Sequence, residues 1–236
     1  LNWRDPENPR AGGAERVTLA YWSALAQRGH DAHWCAYSFP GAVPHATLDG
    51  VHIHRGGVST LGARRMARRW AQEHGPFDLI VDQHHGLPWF AHRWRQGRTI
   101  SYIHEVLGPI WSSFYPWPLS WCGRAMESVT HRLFRAQPFW TGCQATKTQL
   151  EARGIRRIKV VSYGIETEVL NPLPPKSVEE PIRLLVVCRL APNKRVDHAI
   201  DAVGHLAEIG RHAELRIVGG GDEESKLRKR VEAAGL

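Results

Sequence analysis

Arg189-Leu-Ala-Pro-Asn-Lys194 sets two fixed cations of different geometry directly after the apolar run Ile182-Arg-Leu-Leu-Val-Val-Cys188. Arginine offers a planar fork of donors and lysine a compact charge, so the pair suits an anion with several oxygens, such as a diphosphate. Solvated cations at a strand end look the same. A second candidate is Gly12-Gly13, just ahead of an apolar stripe at helical spacing formed by Val17, Ala20, Tyr21, Ala24 and Leu25. Glycines let a backbone come close to a ligand, and a helix start supplies free N–H groups that favour phosphate. An ordinary tight turn also explains this pair, because the full G-x-G-x-x-G fingerprint is not present. Gly219-Gly220-Gly221 forms a comparable turn, and His104 and Gln83-His84-His85-Gly86 each follow an apolar run. These histidines border a cleft or are satisfied by their neighbours. His52 and His54 share a strand face without evident partners, and no His/Cys/carboxylate set has metal-ligand spacing, so no metal is expected.

The elements that must position these residues alternate. Helical spacing predicts a helix ending at Gly29, a second over 60–74, and further helices near 122–135 and 146–153. Short apolar runs predict strands over 31–37, 51–55, 77–82, 99–103, 139–143 and 159–162, of the kind found in a parallel sheet covered on both faces. That pattern is a doubly wound α/β domain, in which ligands collect at the carboxyl ends of the strands. Asn171-Pro-Leu-Pro-Pro-Lys-Ser-Val-Glu-Glu-Pro181 reads as a semi-rigid linker, and all ten tryptophans precede it. Beyond it, a strand over 182–188, an amphipathic helix from about Arg195, a strand over 214–218 and a helix over 222–234 begin a second α/β domain. Domains are thus expected over 1–170 and 182–236, joined by 171–181. So small a parallel sheet cannot cover both of its faces, so this second domain is expected to be incomplete.

Composition narrows the class. With 236 residues, 42% hydrophobic and 23% charged, the chain can bury a real core. Its four cysteines form no C-x-x-C pair, which points to a reducing compartment without disulfides. No window is long and apolar enough for a membrane span, and no signal-peptide pattern is present, so a cytoplasmic location is expected. The net charge of +8 is concentrated early: residues 1–164 hold 20 Lys and Arg against 11 Asp and Glu. Arg64, Arg65, Arg68 and Arg69 fall within about 140° of one helix face, either as a solvated basic face or as one that meets an anionic membrane. Nucleic acid is disfavoured, because no recognition pattern accompanies the charge. Between 107 and 121 lie five aromatics among prolines, suited to stacking on sugars, to a lipid headgroup layer, or to capping the core.

Taken together these segments resemble the glycosyltransferases of family 4, retaining enzymes of the GT-B fold that use nucleotide-diphosphate sugars. Trp3-Arg-Asp-Pro-Glu-Asn-Pro-Arg-Ala-Gly-Gly-Ala-Glu15 is similar to the loop after the family's first strand, and Leu25-Ala-Gln-Arg-Gly-His30 to the end of the helix that follows. Asp78–Phe90 and Ile103-His-Glu105 resemble mid-domain segments, and Val160-Val-Ser-Tyr-Gly-Ile-Glu166 the hinge. Arg189 to Lys194 resembles the R-x-x-x-x-K of the donor domain, and Ile217-Val-Gly-Gly-Gly221 its Gly-rich turn.

The resemblance implies a nearly complete N-terminal Rossmann-like domain, lacking its first strand, and the beginning of a donor domain. It implies that Arg189 and Lys194 bind the donor diphosphate and stabilise the leaving nucleotide without a metal or other cofactor. Gly12, Gly13, Gly219 and Gly221 would line the donor, and His104 would contact the reacting sugar. The acceptor is unspecified; a lipid-linked one would bring the protein to the inner face of a membrane. Two departures stand out. The hinge has Ser162-Tyr163-Gly164 where the family has Pro-Asn-Gly, and the E-x7-E segment whose carboxylates hold the donor is not found up to Leu236. The chain is therefore expected to be a fragment, inactive alone. A nucleotide-sugar epimerase on the same scaffold and a non-catalytic sugar- or nucleotide-binding module are the alternatives.

Overall fold

The computed structural model describes residues 1–84, 87–164, 172 and 179–236. Helix α1 (Gly13–Ala26) leads to β1 (Ala32–Ala36), β2 (His45–Leu48), β3 (Val51–Arg55), α2 (Thr60–His74), β4 (Phe77–Gln83) and β5 (Gly97–Tyr102). The single turn α3 (Trp111–Phe114) and α4 (Leu119–Leu133) come next, then β6 (Phe139–Thr141), α5 (Gln144–Ala152) and β7 (Ile158–Val160). The last elements are β8 (Ile182–Val187), α6 (Val196–Glu208), β9 (Ala213–Val218) and α7 (Glu224–Ala233). His85 and Gly86, Ile165 and Glu166 of the hinge segment, and most of the proline-rich linker lie outside the described residues. One compact unit comprises Leu1–Gly108 and the stretch from Trp121 onward; the second comprises Pro109–Ser120 and the stretch that ends at Leu236.

In the first unit, β4, β5, β6 and β7 pair in parallel and in that order, while β1 pairs in parallel with β3. The chain's first residues bridge the two groups. The amino group of Leu1 donates to Val81 O at 2.8 Å and its carbonyl accepts from Gln83 N at 3.0 Å, the pattern of a parallel strand beside β4. On the other side, Asn2 N donates to Cys35 O at 3.1 Å and Tyr37 N to Trp3 O at 3.0 Å. The Trp3 ring stacks on Trp89 with centroids 4.0 Å apart.

Strand β2 departs from the parallel pattern: it runs antiparallel to β3 at the sheet edge. Its four residues, His45-Ala-Thr-Leu48, are too few and too polar to announce a strand. The turn that joins it to β3 is more informative, since Asp49 (φ 48°) and Gly50 (φ 81°) both adopt the left-handed region that a two-residue hairpin needs.

The helices pack as their periodicity requires. Ala63, Ala67 and Ala71, buried along one face of α2, meet Ile80, Trp89 and Trp94. Small residues bring this helix close to the strands. The described aromatics between 107 and 121 are mostly outside the core, with Phe114, Tyr115, Trp117 and Trp121 exposed. In the second unit β8 and β9 pair in parallel, and Leu190, Val196, Ile200 and Leu227 form the core beneath α6 and α7. All four cysteines are free thiols.

A buried ion pair fixes the loop before α1. Arg55 donates from Nε and Nη2 to the two oxygens of Asp5, each at 2.8 Å, and Nη2 also reaches Glu7. Both Asp5 and Arg55 side chains are nearly inaccessible. Removing Asp5 would leave the buried guanidinium with only the half-exposed Glu7 as counter-charge, so Asp5→Ala is expected to destabilise the chain by about 3 kcal/mol in urea unfolding. The exposed pair Arg69–Glu73 is the control, and Glu73→Ala is expected to cost at most about 0.5 kcal/mol.

Candidate functional site

In the second unit the chain leaves β8 through Cys188 and Arg189 and enters a single 3-10 turn, Pro192–Lys194, before α6. Arg189 and Lys194 are exposed, and among the described residues neither makes an ion pair. Their neighbour Arg195 is instead held by Asp197, with Nε to Oδ1 at 3.1 Å and Nη2 to Oδ2 at 2.9 Å. Arg195 is the N-cap of α6 and carries φ 48°, ψ 44°. A non-glycine residue there stores roughly 1–2 kcal/mol of strain. The helix therefore starts at Val196, and the strained residue separates it from Lys194.

Gly219, Gly220 and Gly221 follow β9 and lie beside the Arg189 loop. Leu190 N donates to Gly220 O at 2.9 Å, and Glu223 N to Leu190 O at 3.2 Å. A Cβ on Gly219 would come within 1.9 Å of Cys188 O, and one on Gly221 within 2.3 Å of Leu190 O. Both also have positive φ, 146° and 156°. Gly219 and Gly221 are thus explained by the main chain they pack against. Around a Cβ on Gly220 nothing lies within 4 Å, so this is the glycine with open space.

In the first unit Gly12 is the N-cap of α1 and Gly13 its first residue. Gly12 N–H donates to Glu15 Oε2 at 2.7 Å, and Arg4 Nε to Glu15 Oε1 at 3.1 Å. The amide that the glycine pair was expected to offer a phosphate is taken by a buried carboxylate of the same helix, the reciprocal half of a capping box. Gly13 has open space.

His104 follows β5 and has both ring nitrogens in short contacts. Gln83 Oε1 accepts from Thr18 at 2.9 Å, which turns the amide so that its Nε2 donates to His104 Nε2 at 2.9 Å. The imidazole proton then belongs on Nδ1, donating to the Tyr163 hydroxyl oxygen at 2.7 Å. Burial is the main cause that pushes the Tyr163 hydroxyl up to about 12. Its ring occupies the space beside Gly142, where a Cβ would fall 2.0 Å away. From sequence Gln83 stood only at the head of the segment 83–86 and Tyr163 only as a departure in the hinge, and neither they nor Glu15 was given a role. Only Glu15 had a signal, as the third residue after a helix cap.

Asp82, at the end of β4, was likewise missed. Its oxygens accept from Trp89 N and Ala91 N, each at 3.0 Å. Burial disfavours its charge, but His84 and these two amides outweigh that and hold the carboxyl below its ordinary value.

A separate cluster corrects the expectation that His52 and His54 lack partners. An open cleft of about 560 Å³ is lined by Asp31, His33, His45, Thr47, His52 and His54, on β1, β2 and β3 rather than at the strands' carboxyl ends. His33 Nε2 lies 3.0 Å from Asp31 Oδ1, His33 Nδ1 3.1 Å from His54 Nε2, and His54 Nδ1 3.2 Å from His45 Nδ1. Each link needs one donor, so a consistent neutral chain donates from His45 to His54, from His54 to His33 and from His33 to Asp31. These imidazoles bond to one another, and among the described residues no group of three or more His, Cys, Asp or Glu is placed to hold a metal. Burial, then the neighbouring imidazoles His33, His45, His52 and His74, lower His54 to about 4.

The two units are α/β layers of the GT-B type of glycosyltransferase. The chain belongs to glycosyltransferase family 4, whose model matches residues 11–169, and the model described as glycosyl transferases group 1 matches residues 173–236. No curated protein matches the sequence. Among solved structures it is similar to a point mutant of S. aureus TarM in complex with Fondaparinux, alpha-GlcNAc-glycerol and UDP (TM-score 0.52, 12% identity, covering 83% of this chain and 38% of that one). A second TarM structure matches with TM-score 0.50 and 12% identity over 82% of this chain and 37% of that one. The E. coli structure described as trehalose-6-phosphate bound with UDP-2-fluoro glucose gives TM-score 0.58 and 13% identity over 99% of this chain and 68% of that one. At such identities the likeness establishes the fold. The chain spans less than two fifths of the length of TarM.

Two outcomes follow from this geometry. Gly219→Ala is expected to destabilise the second unit by about 3 kcal/mol or more in urea unfolding, because strain and a main-chain clash add, whereas Gly220→Ala stays within about 1 kcal/mol. His54 and the buried His131 both fall from an ordinary 6.5 to about 4, His131 through burial first and then Arg153 and His84. Their stabilisation is complete above pH 6.5, where folded and unfolded forms are both neutral, and is lost as pH falls through that value toward 4, because the unfolded chain takes up the protons first. The urea midpoint is therefore expected to drop across this window, less steeply in His54→Gln.

Proposed function

We propose that this chain carries the acceptor-side unit and the diphosphate-binding part of the donor unit of a retaining glycosyltransferase. The reaction moves a sugar from a nucleotide-diphosphate sugar to an acceptor hydroxyl. The bond from the sugar's anomeric carbon to the diphosphate breaks, the acceptor oxygen takes its place on the same face, and the acceptor proton leaves with the released nucleotide. Arg189 and Lys194 neutralise the charge that develops on the departing diphosphate, so that no metal is required. Preorganised donors of this kind are worth roughly 3–4 kcal/mol in the transition state.

The observation that carries the reading is the pair of exposed cations, without ion pairs among the described residues, at the carboxyl end of β8. The complexes of TarM with UDP and of the E. coli protein with UDP-2-fluoro glucose favour a nucleoside diphosphate as the anion. His104 contributes a contact to the sugar once Tyr163 or Gln83 releases one of its nitrogens. Gly13 and Gly220, the glycines with open space, are the places where main chain can approach a ligand.

A lipid-linked acceptor of the cell envelope, glycolipid or polysaccharide type fits the basic first unit, with the protein at the inner face of a membrane. No helix among the described residues is long and apolar enough to cross one. The basic face of α2 is smaller than its spacing implies. Arg64 is partly buried with its guanidinium 4.8 Å from the Phe90 ring centre, and Arg69 pairs with Glu73, which leaves Arg65 and Arg68 facing solvent.

Calorimetric titration of the chain with UDP tests the donor site. Charged hydrogen bonds contribute about 1.5–3 kcal/mol each, so Arg189→Ala and Lys194→Ala are each expected to weaken binding by roughly ten- to a hundredfold. Unchanged affinity in the double variant would sink this assignment.

A further inference from the structure

Helix α4 buries the opposite face from the one expected of a surface helix. Its inward side consists of Ser120, Gly123, Glu127, Thr130 and His131, all buried and nearly all polar. Glu127 is satisfied there by the amides of Leu107 and Gly108, each at 2.8 Å. The outward side is apolar: Leu119 is 58% exposed, Trp121 64%, Val129 51% and Leu133 51%, with Cys122 also exposed. At the helical repeat, Trp121, Ala125, Val129, Cys122 and Leu133 cover an arc of roughly 120°. Surface helices ordinarily place the apolar arc inward, so a mainly apolar arc facing solvent, broken only by Arg132, marks a contact surface.

We propose that this outward face of α4 docks on an anionic lipid surface. Exposed Arg132 lies within the Trp121 edge of the arc and exposed Arg124 just outside that edge, and their aliphatic stems can lie along apolar surface while their heads reach phosphate oxygens. Trp121 near the amino end is the residue type that settles at headgroup depth. An interfacial helix needs these parts in this arrangement: an apolar face a few ångströms deep with cations at its border. Charge decides against a second copy as the occupant. Residues 1–164 hold 20 Lys and Arg against 11 Asp and Glu, so two copies meeting here would repel, whereas an anionic bilayer attracts.

The purpose of the contact, bringing the enzyme to a lipid-linked acceptor, rests on the transferase reading above. The contact itself is measured with no nucleotide sugar present, so each can fail without the other. The 236-residue chain is floated with vesicles of phosphatidylglycerol and phosphatidylcholine in equal amounts, and with phosphatidylcholine alone. The chain is expected to float with the mixed vesicles, and the variant Trp121→Ser/Val129→Ser/Leu133→Ser to partition about tenfold less. Arg132→Glu, which removes no apolar side chain, is expected to lose binding several-fold, in a salt-dependent way. The positions are exposed, so circular dichroism and the urea midpoint are expected to match the parent chain. Flotation equal to the parent in both variants overturns the proposal. So does a loss confined to Arg65→Glu/Arg68→Glu on α2, or sedimentation equilibrium showing a dimer that these α4 substitutions dissolve.

Discussion

Main-chain hydrogen bonds from Leu1, Asn2 and Trp3 hold the first unit's sheet together. They join β1 to β4 and so fix where α1 begins relative to the end of β4. The candidate site depends on that register. Thr18 on α1 bonds Gln83 at the end of β4, Gln83 bonds His104 after β5, and His104 bonds Tyr163 beyond β7. Four segments distant in sequence thus orient one imidazole. Asp5–Arg55 clamps the loop between the seam and α1, so the start of the helix is fixed from both directions.

The second unit solves the same positioning problem with different means. Here the loop is held by direct backbone contact, glycine against carbonyl, and by a left-handed Arg195 that stops the 3-10 turn from running on into α6. Strain of that kind persists only where surrounding bonds over-determine it, and the paired Asp197 supplies two of them. Among the described residues Arg189 and Lys194 make no ion pair, while the adjacent cation is held by Asp197.

Much of this was legible in the sequence. Apolar runs and helical stripes located almost every strand and helix, because burial on a parallel sheet demands them. β2 escaped because an edge strand of four polar and small residues carries little pattern, although Asp49-Gly50 announced its turn. The site was read by residue type, and type could not reveal commitment. Gly12 looked open but serves Glu15, Gly219 and Gly221 looked like ligand cradles but make room for Cys188 and Leu190, and His54 looked isolated but sits in a chain of imidazoles. Gly219, Gly221 and His54 depend on a partner farther along the chain or on a carbonyl that no motif records, whereas the partner of Gly12 sits at capping-box spacing. The inverted polarity of α4 was hidden for a related reason: periodicity shows that a helix has two faces, and only packing shows which one is inside.

The contact of Gly219 and Gly221 with Cys188 and Leu190 is made by main-chain atoms alone on one side and by missing Cβ atoms on the other. Side chains at 189, 193 and 194 take no part in it. In descent, the loop from Arg189 to Lys194 can therefore exchange its side chains residue by residue while its path through space stays the same. Such a frame lets one scaffold accumulate different side-chain chemistry at this loop while it stays folded, provided the two flanking glycines are kept.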